Sequence, residues 1–498
     1  MLLLGIDLGT SSIKVSIVDA QTGTAIASAS YPENEVSIIS PRPGWAEQSP
    51  ETWWEHTQQA IRKVHAGKKY NPSDISAIGV AYQMHGLVIV DKDQNVLRNS
   101  IIWCDSRAVE LGEKAFAAIG ERNCLDSLLN SPGNFTASKL AWVKHNEPDI
   151  YKRIDKAMLP GDLIAMKMTG SINTSVPALS EGIFWDFKQN QLSDDVMSHY
   201  GIDPTLIPPI HPLFSVHGEL SGEVASALYL KKGIPVTYKA GDQPNNALSL
   251  NVFEPGEVAA TAGTSGVVYG VSDKLTYDPQ SRVNTFAHVN HTAENPRLGV
   301  LLCINGTGSL NRWVKERFAN GKGYEHINKE AAGIAAGSDG LSILPFGNGA
   351  ERMLINRMPG AQFRGIDFNI HRSAHVFRAA QEGIAFAFRY GLDIMRENKM
   401  NLSVIRAGRA NLFLSELFTR IFVDTTRVPV ELYGCDGSVG AAIGAGLGSG
   451  VYKSPKEAFQ NFKPQMKVEP GELTDRYGEL YAEWSGVLEK ELQMTNYK

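Results

Sequence analysis

The chain lacks the features that most simply betray a function. Cysteine is scarce: 498 residues include only Cys104, Cys124, Cys303 and Cys435. They are scattered and form no CxxC pair, which argues against a disulfide framework and against a zinc knuckle. A reducing, cytoplasmic setting is expected. Charge of one sign is also missing, since 48 Lys and Arg oppose 53 Asp and Glu for a formal net charge of −5. Without a dense basic stripe there is no electrostatic footprint for nucleic acid, and small-molecule partners are expected. The N-terminal apolar run has no basic segment before it and is broken by Gly5 and Asp7, and no other run is long enough to cross a bilayer. Neither a signal peptide nor a membrane span is expected. Two nucleotide signatures are absent as well. No GxxxxGK followed by Ser or Thr occurs, and no GxGxxG follows a strand, so P-loop and Rossmann readings lose their main support.

What the chain does have is one short turn, used twice. Asp7, Leu8, Gly9, Thr10, Ser11 and Ser12 follow the apolar stretch from Leu2 to Ile6, and Thr261, Ala262, Gly263, Thr264, Ser265 and Gly266 follow Glu257 to Ala260. Each is flanked by extended runs. A strand, a small-residue turn and a second strand expose backbone N–H groups and hydroxyls, a geometry suited to phosphate oxygens. A single turn of this kind reads equally well as an ordinary hairpin. Its recurrence in the same context points instead to two grips on one polyphosphate.

The surrounding pattern is α/β. At this length two large domains or three smaller ones are expected. Ile13 to Val18 and Thr24 to Ser30 continue a β-meander, Ser49 and Pro50 read as the N-cap and first position of a helix, and Ile75 to Ala81 reads as a strand. A further strand, Ile234 to Tyr238, runs into Gly241 and Asp242, and a domain boundary is placed there, giving 1–240 and 241–498. Ala374 to Glu397 reads as a long helix and Leu402 to Ile405 as a strand before Gly408. Gly440, Ala441, Gly444 and Ala445 would let a helix approach a sheet or flat ligand closely. Tyr477, Leu480, Tyr481, Trp484 and Leu488 share one face of a terminal helix that covers the core.

Together, the two turns, the Gly241, Asp242, Gln243 run and Lys139, Leu140 and Trp142 make the chain resemble the FGGY carbohydrate kinases along nearly its whole length. The resemblance implies a duplicated ribonuclease-H-like fold of the actin, hexokinase and Hsp70 type, with a catalytic cleft between the domains. Gln83, Met84, His85 and Gly86 match a motif typical of the family members that act on xylulose, and Trp103, Asp105 and Arg107 sit as the family's WxDxR element does. The resemblance implies ATP- and Mg²⁺-dependent phosphorylation of D-xylulose to xylulose 5-phosphate.

The residues bear on the chemistry themselves. Phosphoryl transfer to an alcohol needs alignment, charge neutralisation and a group to accept the alcohol proton. Asp242, at a strand end beside the expected cleft, is the candidate general base, a role the resemblance also assigns to it. Asp7 is placed to hold Mg²⁺ with Asp242, while Gly9, Thr10 and Ser11 in the first turn and Gly263, Thr264 and Ser265 in the second contact phosphate. Met84 offers an adaptable apolar wall and His85 a ring nitrogen for a sugar hydroxyl. No second His stands at ligand spacing, so His85 is not expected to bind metal. Gln243 supplies an amide beside the base. Trp103 reads either as a surface for the sugar or as core, and Asp105 either as a substrate contact or as the partner of Arg107.

The chain departs from the family at three places. Arg406, Ala407, Gly408 and Arg409 replace a Gly-Gly-Gly-Ala turn near the adenosine, leaving Gly408 and Arg409 as the expected nucleoside contacts. Thr174 and Ser175 stand where Thr and Asp are frequent, and Ala350 interrupts a Gly349, Glu351, Arg352 element. Another ketose or polyol (L-xylulose, ribulose or an alditol) stays open as substrate, as does a homodimer. A protein-binding nucleotide switch of the actin or chaperone kind is the reading from another class.

Overall fold

The computed structural model describes residues 1–434 and 436–494; Cys435 lies outside them. The chain folds as two copies of one plan. In the first, β1 (Leu2–Leu8), β2 (Ile13–Asp19) and β3 (Ala25–Tyr31) form an antiparallel meander, followed by α1 (Pro50–Ala66) and β4 (Ile75–Tyr82). Then come α2 (Thr136–Asn146), α3 (Pro160–Thr169), α4 (Val176–Glu181), β5 (Pro235–Gly241) and α5 (Asp242–Ser249). β4 pairs parallel to β1, and β5 parallel to β4. The sheet order is a short edge strand at Gly218–Glu219, then β5, β4, β1, β2 and β3.

The second copy repeats this with β6 (Glu257–Ala262), β7 (Gly266–Ser272), β8 (Asn284–Ala287), β9 (Leu298–Ile304), α6 (Thr307–Phe318) and α7 (Ser373–Glu397). It is completed by β10 (Val404–Gly408), β11 (Val430–Tyr433), α8 (Gly437–Gly448), β12 (Met466–Val468) and α9 (Thr474–Met494). β6 pairs antiparallel to β7 and parallel to β10, and β10 is parallel to β11, within a sheet ordered β8, β9, β7, β6, β10, β11, β12.

Local chemistry explains the elements. Ser49 caps α1 by accepting the Thr52 N–H, and Pro50 fits the first helical turn, where no N–H is needed. α9 buries Tyr477, Trp484 and Leu488 against the second core, as its apolar face leads one to expect.

The small residues of α8 serve a purpose that their sequence position hides. They pack the helix not on the adjoining second sheet but on β1, β4 and β5 of the first. Backbone meets backbone there: a Cβ added to Gly5 would lie 1.9 Å from the Ser438 carbonyl oxygen, and one on Gly79 2.0 Å from that of Ala441. α5 in turn packs on α8 and reaches β6 and β7 of the second sheet. The two helices thus bridge the two halves.

Candidate active site

The first turn joins β1 to β2, which pair from Leu2 opposite Asp19 to Leu8 opposite Ile13. Its end is fixed by the Gly9 N–H donating to the Ser12 carbonyl. Thr10 is the hub of a polar chain. Its Oγ1 donates to Gln83 Oε1 at 3.3 Å and accepts from Trp103 Nε1 at 3.0 Å, while its carbonyl accepts from Gln48 Nε2 at 2.8 Å. Gln83 and Trp53 both donate to Gln48 Oε1. The first turn and the Gln83 to Gly86 motif are therefore one hydrogen-bonded unit. Trp103 is 49 % exposed, which decides against a core role.

Asp242 is the first residue of α5, immediately beyond the end of β5. Its carboxyl is pushed up from 3.8 to about 7, first by burial and then by the charge of Asp7, with hydrogen bonds from Gln243 working the other way. Asp7 is raised to about 6 by burial and by Asp436, against the opposing pull of Lys14. Lys14 is itself paired with Asp436 at 2.6 Å, and Asp436 caps α8. Asp7 abuts that helix end, since a Cβ on Gly437 would lie 2.3 Å from Asp7 Oδ2.

Met84 and His85 follow β4. Met84 is buried against Gly241, where an added Cβ would come within 2.6 Å of its Cγ. His85 takes a left-handed backbone, φ 62°, and is held from several sides. Its N–H donates to Glu181 Oε1 at 3.2 Å and its carbonyl accepts from Lys139 Nζ at 2.8 Å. Its ring lies 4.8 Å from that of Phe135 and 5.3 Å from Phe286, which β8 of the second half supplies. Burial, then the charge of Lys139, pulls the imidazole down to about 3, so it is neutral. Nδ1 sits 3.0 Å from the Glu181 carbonyl, which can only accept, so Nδ1 carries the hydrogen. Nε2 is left as an acceptor without a partner among the described residues.

Asp105 is fully engaged. Arg107 grips both its oxygens, the Ala46 N–H donates to Oδ2 at 2.6 Å, and Arg107 also reaches Glu47. Of its two readings, the structure supports the pairing with Arg107.

The second turn joins β6 to β7 and opens on a cavity of about 360 Å³. Gly263 and Thr264 line it with Gly308, Asn311, Arg312, Tyr324, Asn328 and Asn411. Ser265, Gly408 and Arg409 do not; Arg409 is exposed, its N–H donating to the Tyr433 carbonyl at 2.7 Å. Arg406 is structural, bridging Glu257 and Glu431 across three strands. Asn311, Asn328 and Asn411 went unnoticed in the sequence because asparagines in loops and helices carry no spacing signal. Ser175 turns out to cap α4, accepting from the Ala178 N–H. Arg352, beside the inserted Ala350, crosses to the first half, donating to Ser131 Oγ at 2.9 Å and lying over the Phe135 ring.

Family models match both halves: the N-terminal domain of the FGGY family of carbohydrate kinases over residues 2–249, and its C-terminal domain over 258–448. The chain belongs to the FGGY family. As a member it is an ATP-dependent sugar kinase, with a sugar and ATP as its small-molecule partners. It is 28 % identical to the xylulose kinase of Escherichia coli (strain K12), covering 95 % of this chain and 94 % of that one. It is 30 % identical to a xylulose kinase of Staphylococcus epidermidis (strain ATCC 12228 / FDA PCI 1200), covering 99 % and 97 %. The crystal structure of xylulose kinase from Rhodospirillum rubrum superposes with a TM-score of 0.89 at 25 % identity, over 100 % of both chains. The duplicated ribonuclease-H-like fold of this FGGY kinase is the one that the resemblance implied. No helix among the described residues is long and apolar enough to cross a membrane.

Proposed function

We propose that this FGGY kinase transfers the γ-phosphoryl group of ATP to the terminal hydroxyl of D-xylulose, giving xylulose 5-phosphate, with Asp242 as general base. The observation that carries the reading is the contact of Met84 with Gly241, the residue before Asp242, on a motif that also holds His85 and is hydrogen-bonded to the first turn. The names of the relatives favour xylulose among ketoses.

In the proposed reaction the sugar hydroxyl is oriented by Asp242 and Gln243 while His85 Nε2 accepts a hydrogen bond from a second hydroxyl. The hydroxyl oxygen forms its bond to the γ-phosphorus, the bond from that phosphorus to the bridging oxygen breaks, and ADP leaves. The alcohol proton passes to the Asp242 carboxylate, whose pKa near 7 suits a base that must be ionised before the step and protonated after it. The first turn holds the outer phosphates and the second turn, with its 360 Å³ cavity, holds the nucleoside side of ATP. Closure of the two halves excludes water as a competing acceptor.

Asp7 and Asp242 also fit Mg²⁺. Each raises the other's carboxyl or is raised by a neighbouring one, an excess of buried negative charge, and the Oδ1 of Asn245 nearby has no protein partner. No three His, Cys, Asp or Glu side chains converge as a metal cage among the described residues, which suits an ion that keeps most of its waters and shares phosphate oxygens. When bound, Mg²⁺ supplies neutralisation of charge on the transferring phosphate.

A panel of D-xylulose, L-xylulose, ribulose, alditols and gluconate in an ADP-release assay tests the reading. D-xylulose is expected to give the highest kcat/KM; another sugar ranking well above it would replace the substrate, and ATP hydrolysis indifferent to every sugar would remove the kinase mechanism.

A further inference from the structure

Glu181 is a buried carboxyl, 2 % exposed, that no sequence motif singles out. It is the last residue of α4, and that short helix is pinned at both ends. Ser175 caps its start, and near its end Ser180 Oγ accepts the Ala287 N–H from β8 of the second half. Two groups of Glu181 hold His85: Oε1 accepts its backbone N–H and the carbonyl accepts its Nδ1–H. The other carboxyl oxygen, Oε2, has no hydrogen-bond partner among the described residues. It lies against the bare α-carbon of Gly241, where an added Cβ would be 2.6 Å from Oε2 and 2.6 Å from Met84 Cγ. Because the side chain is almost entirely buried, a carboxyl oxygen on it without a protein partner, next to the base and the apolar wall of the sugar site, has a substrate oxygen as its natural partner.

We infer that Glu181 is a specificity-determining residue of the sugar site, its Oε2 bonding a substrate oxygen beside Asp242 while Oε1 and the carbonyl hold His85 in its left-handed turn. Burial, then the charges of Asp242 and Asp162, hold the Glu181 carboxyl well above the usual range, against the opposing hydrogen bond from His85. In the protonated form, which burial favours, the C=O oxygen accepts from His85 and the O–H donates to the sugar. Such a donor suits a ketose carbonyl or a hydroxyl oxygen. The placement of Gly241 is part of the same device, because a side chain there would separate Glu181 from Met84.

The inference rests on the sugar-kinase reading but not on which sugar wins. The test therefore uses whichever sugar the unaltered enzyme phosphorylates best, and failure of the D-xylulose choice is read from that enzyme alone. Full-length Glu181→Gln and Glu181→Ala are compared by kinetics, thermal melting and ADP binding. Glu181→Ala is expected to raise the sugar KM at least about tenfold while KM for ATP and ADP affinity stay within about twofold. Glu181→Gln, which keeps one acceptor and one donor, should restore most of the loss. Substrate analogues each lacking one oxygen sharpen the readout: the analogue missing the partner of Oε2 should be penalised in the unaltered enzyme and not in Glu181→Ala. A sugar KM that barely moves, equal losses for sugar and ATP, or an unchanged penalty for every analogue would each overturn the proposal. So would a Gln variant as impaired as the Ala variant, since it would mean that the site uses a charge. Should Glu181→Ala fail to fold, Glu181→Met, apolar and of similar length, carries the same comparison.

Discussion

The two glycine-threonine-serine turns occupy equivalent places in equivalent sheets, yet they differ in charge and in company. Aligned on Gly9, Thr10, Ser11 and Gly263, Thr264, Ser265, the position of Asp7 in the first strand is that of Thr261 in the second. Asp7 is raised to about 6 in a cluster with Asp436 and Lys14, and its charge raises Asp242 in turn. Thr261 carries no charge, and its hydroxyl accepts from Asn246 Nδ2 at 3.5 Å. Thr10 is bonded to Gln83 of the Gln83 to Gly86 motif and to Trp103, whereas Gly263 and Thr264 give their carbonyls to the start of α6, the Gly308 N–H and the Ser309 N–H respectively, and face a cavity of about 360 Å³. Duplication supplied the frame twice, and divergence gathered Asp7, Asp242 and Asp436 beside the first turn.

If the carboxylates on that side do the chemistry, the largest effect should follow from removing the base. Asp242→Asn is expected to cut turnover by ~10²- to 10⁴-fold in an ADP-release assay while leaving ADP binding in place. Its stability should move the other way. A carboxyl whose folded pKa is raised, here from 3.8 to about 7, contributes stability that is full below about 3.8 and lost as pH rises through about 7. The Asn variant has no such loss, so its melting temperature should gain on the unaltered enzyme between pH 4 and pH 8. A gain that shrinks with pH would contradict the burial assigned to this group.

Next in size is a swap of the residue that distinguishes the turns. Asp7→Thr should lower kcat/KM on the order of 10²-fold, because fixed charge at the transferring phosphate is lost. It should also lower the acid limb of the pH profile, since the Asp7 charge is one cause of the raised Asp242 carboxyl. An unmoved limb would uncouple the two carboxylates.

The second turn should respond in nucleotide terms alone. A Cβ on Gly308 would lie 2.2 Å from the Gly263 carbonyl oxygen, too close for the turn to stay where it is. Gly308→Ala is expected to raise KM for ATP by roughly 10- to 100-fold with sugar binding little changed. Equal effects on both substrates would erase the division of labour between the turns.

Much of the frame was legible in the sequence. Strand periodicity gave the meander at each start, Ser49 and Pro50 gave α1, and the resemblance carried by the doubled turn and its companion motifs implied the duplication. Hidden features all depended on distance along the chain. α8 follows β11 yet covers the first sheet, because Gly5 and Gly79 there and the small residues of the helix leave room for backbone contact. Phe286 and Arg352 reach His85 and Ser131 from the other half. Glu181 lies 96 residues from the His85 it holds. Asp105 was readable only as one of two alternatives, since a carboxylate two residues before an arginine looks alike whether it faces a substrate or its neighbour. The cross-domain contact of α8 has its own check: Gly79→Ala pushes on the Ala441 carbonyl and should destabilise by at least the ~1–3 kcal/mol of an overpacked core, measured by denaturant melts.

The smallest effect should come from the link between the first turn and the sugar motif. Trp103 donates its indole N–H to Thr10 Oγ1, which donates onward to Gln83. Trp103→Phe keeps an aromatic face and deletes that donor, and because the tryptophan is half exposed, water can replace the lost bond at Thr10. The deficit should therefore stay near the ~0.5–1.5 kcal/mol of one hydrogen bond, a few-fold in kcat/KM. Its distribution is the informative part. If the polar chain through Thr10 joins phosphate grip to sugar grip, Trp103→Phe should raise the apparent KM for both substrates by similar small factors, whereas Gly308→Ala moves only that for ATP. A Trp103→Phe effect confined to the sugar would leave the ring as a wall of the sugar site, and the first turn would then be no more tied to the acceptor than the second.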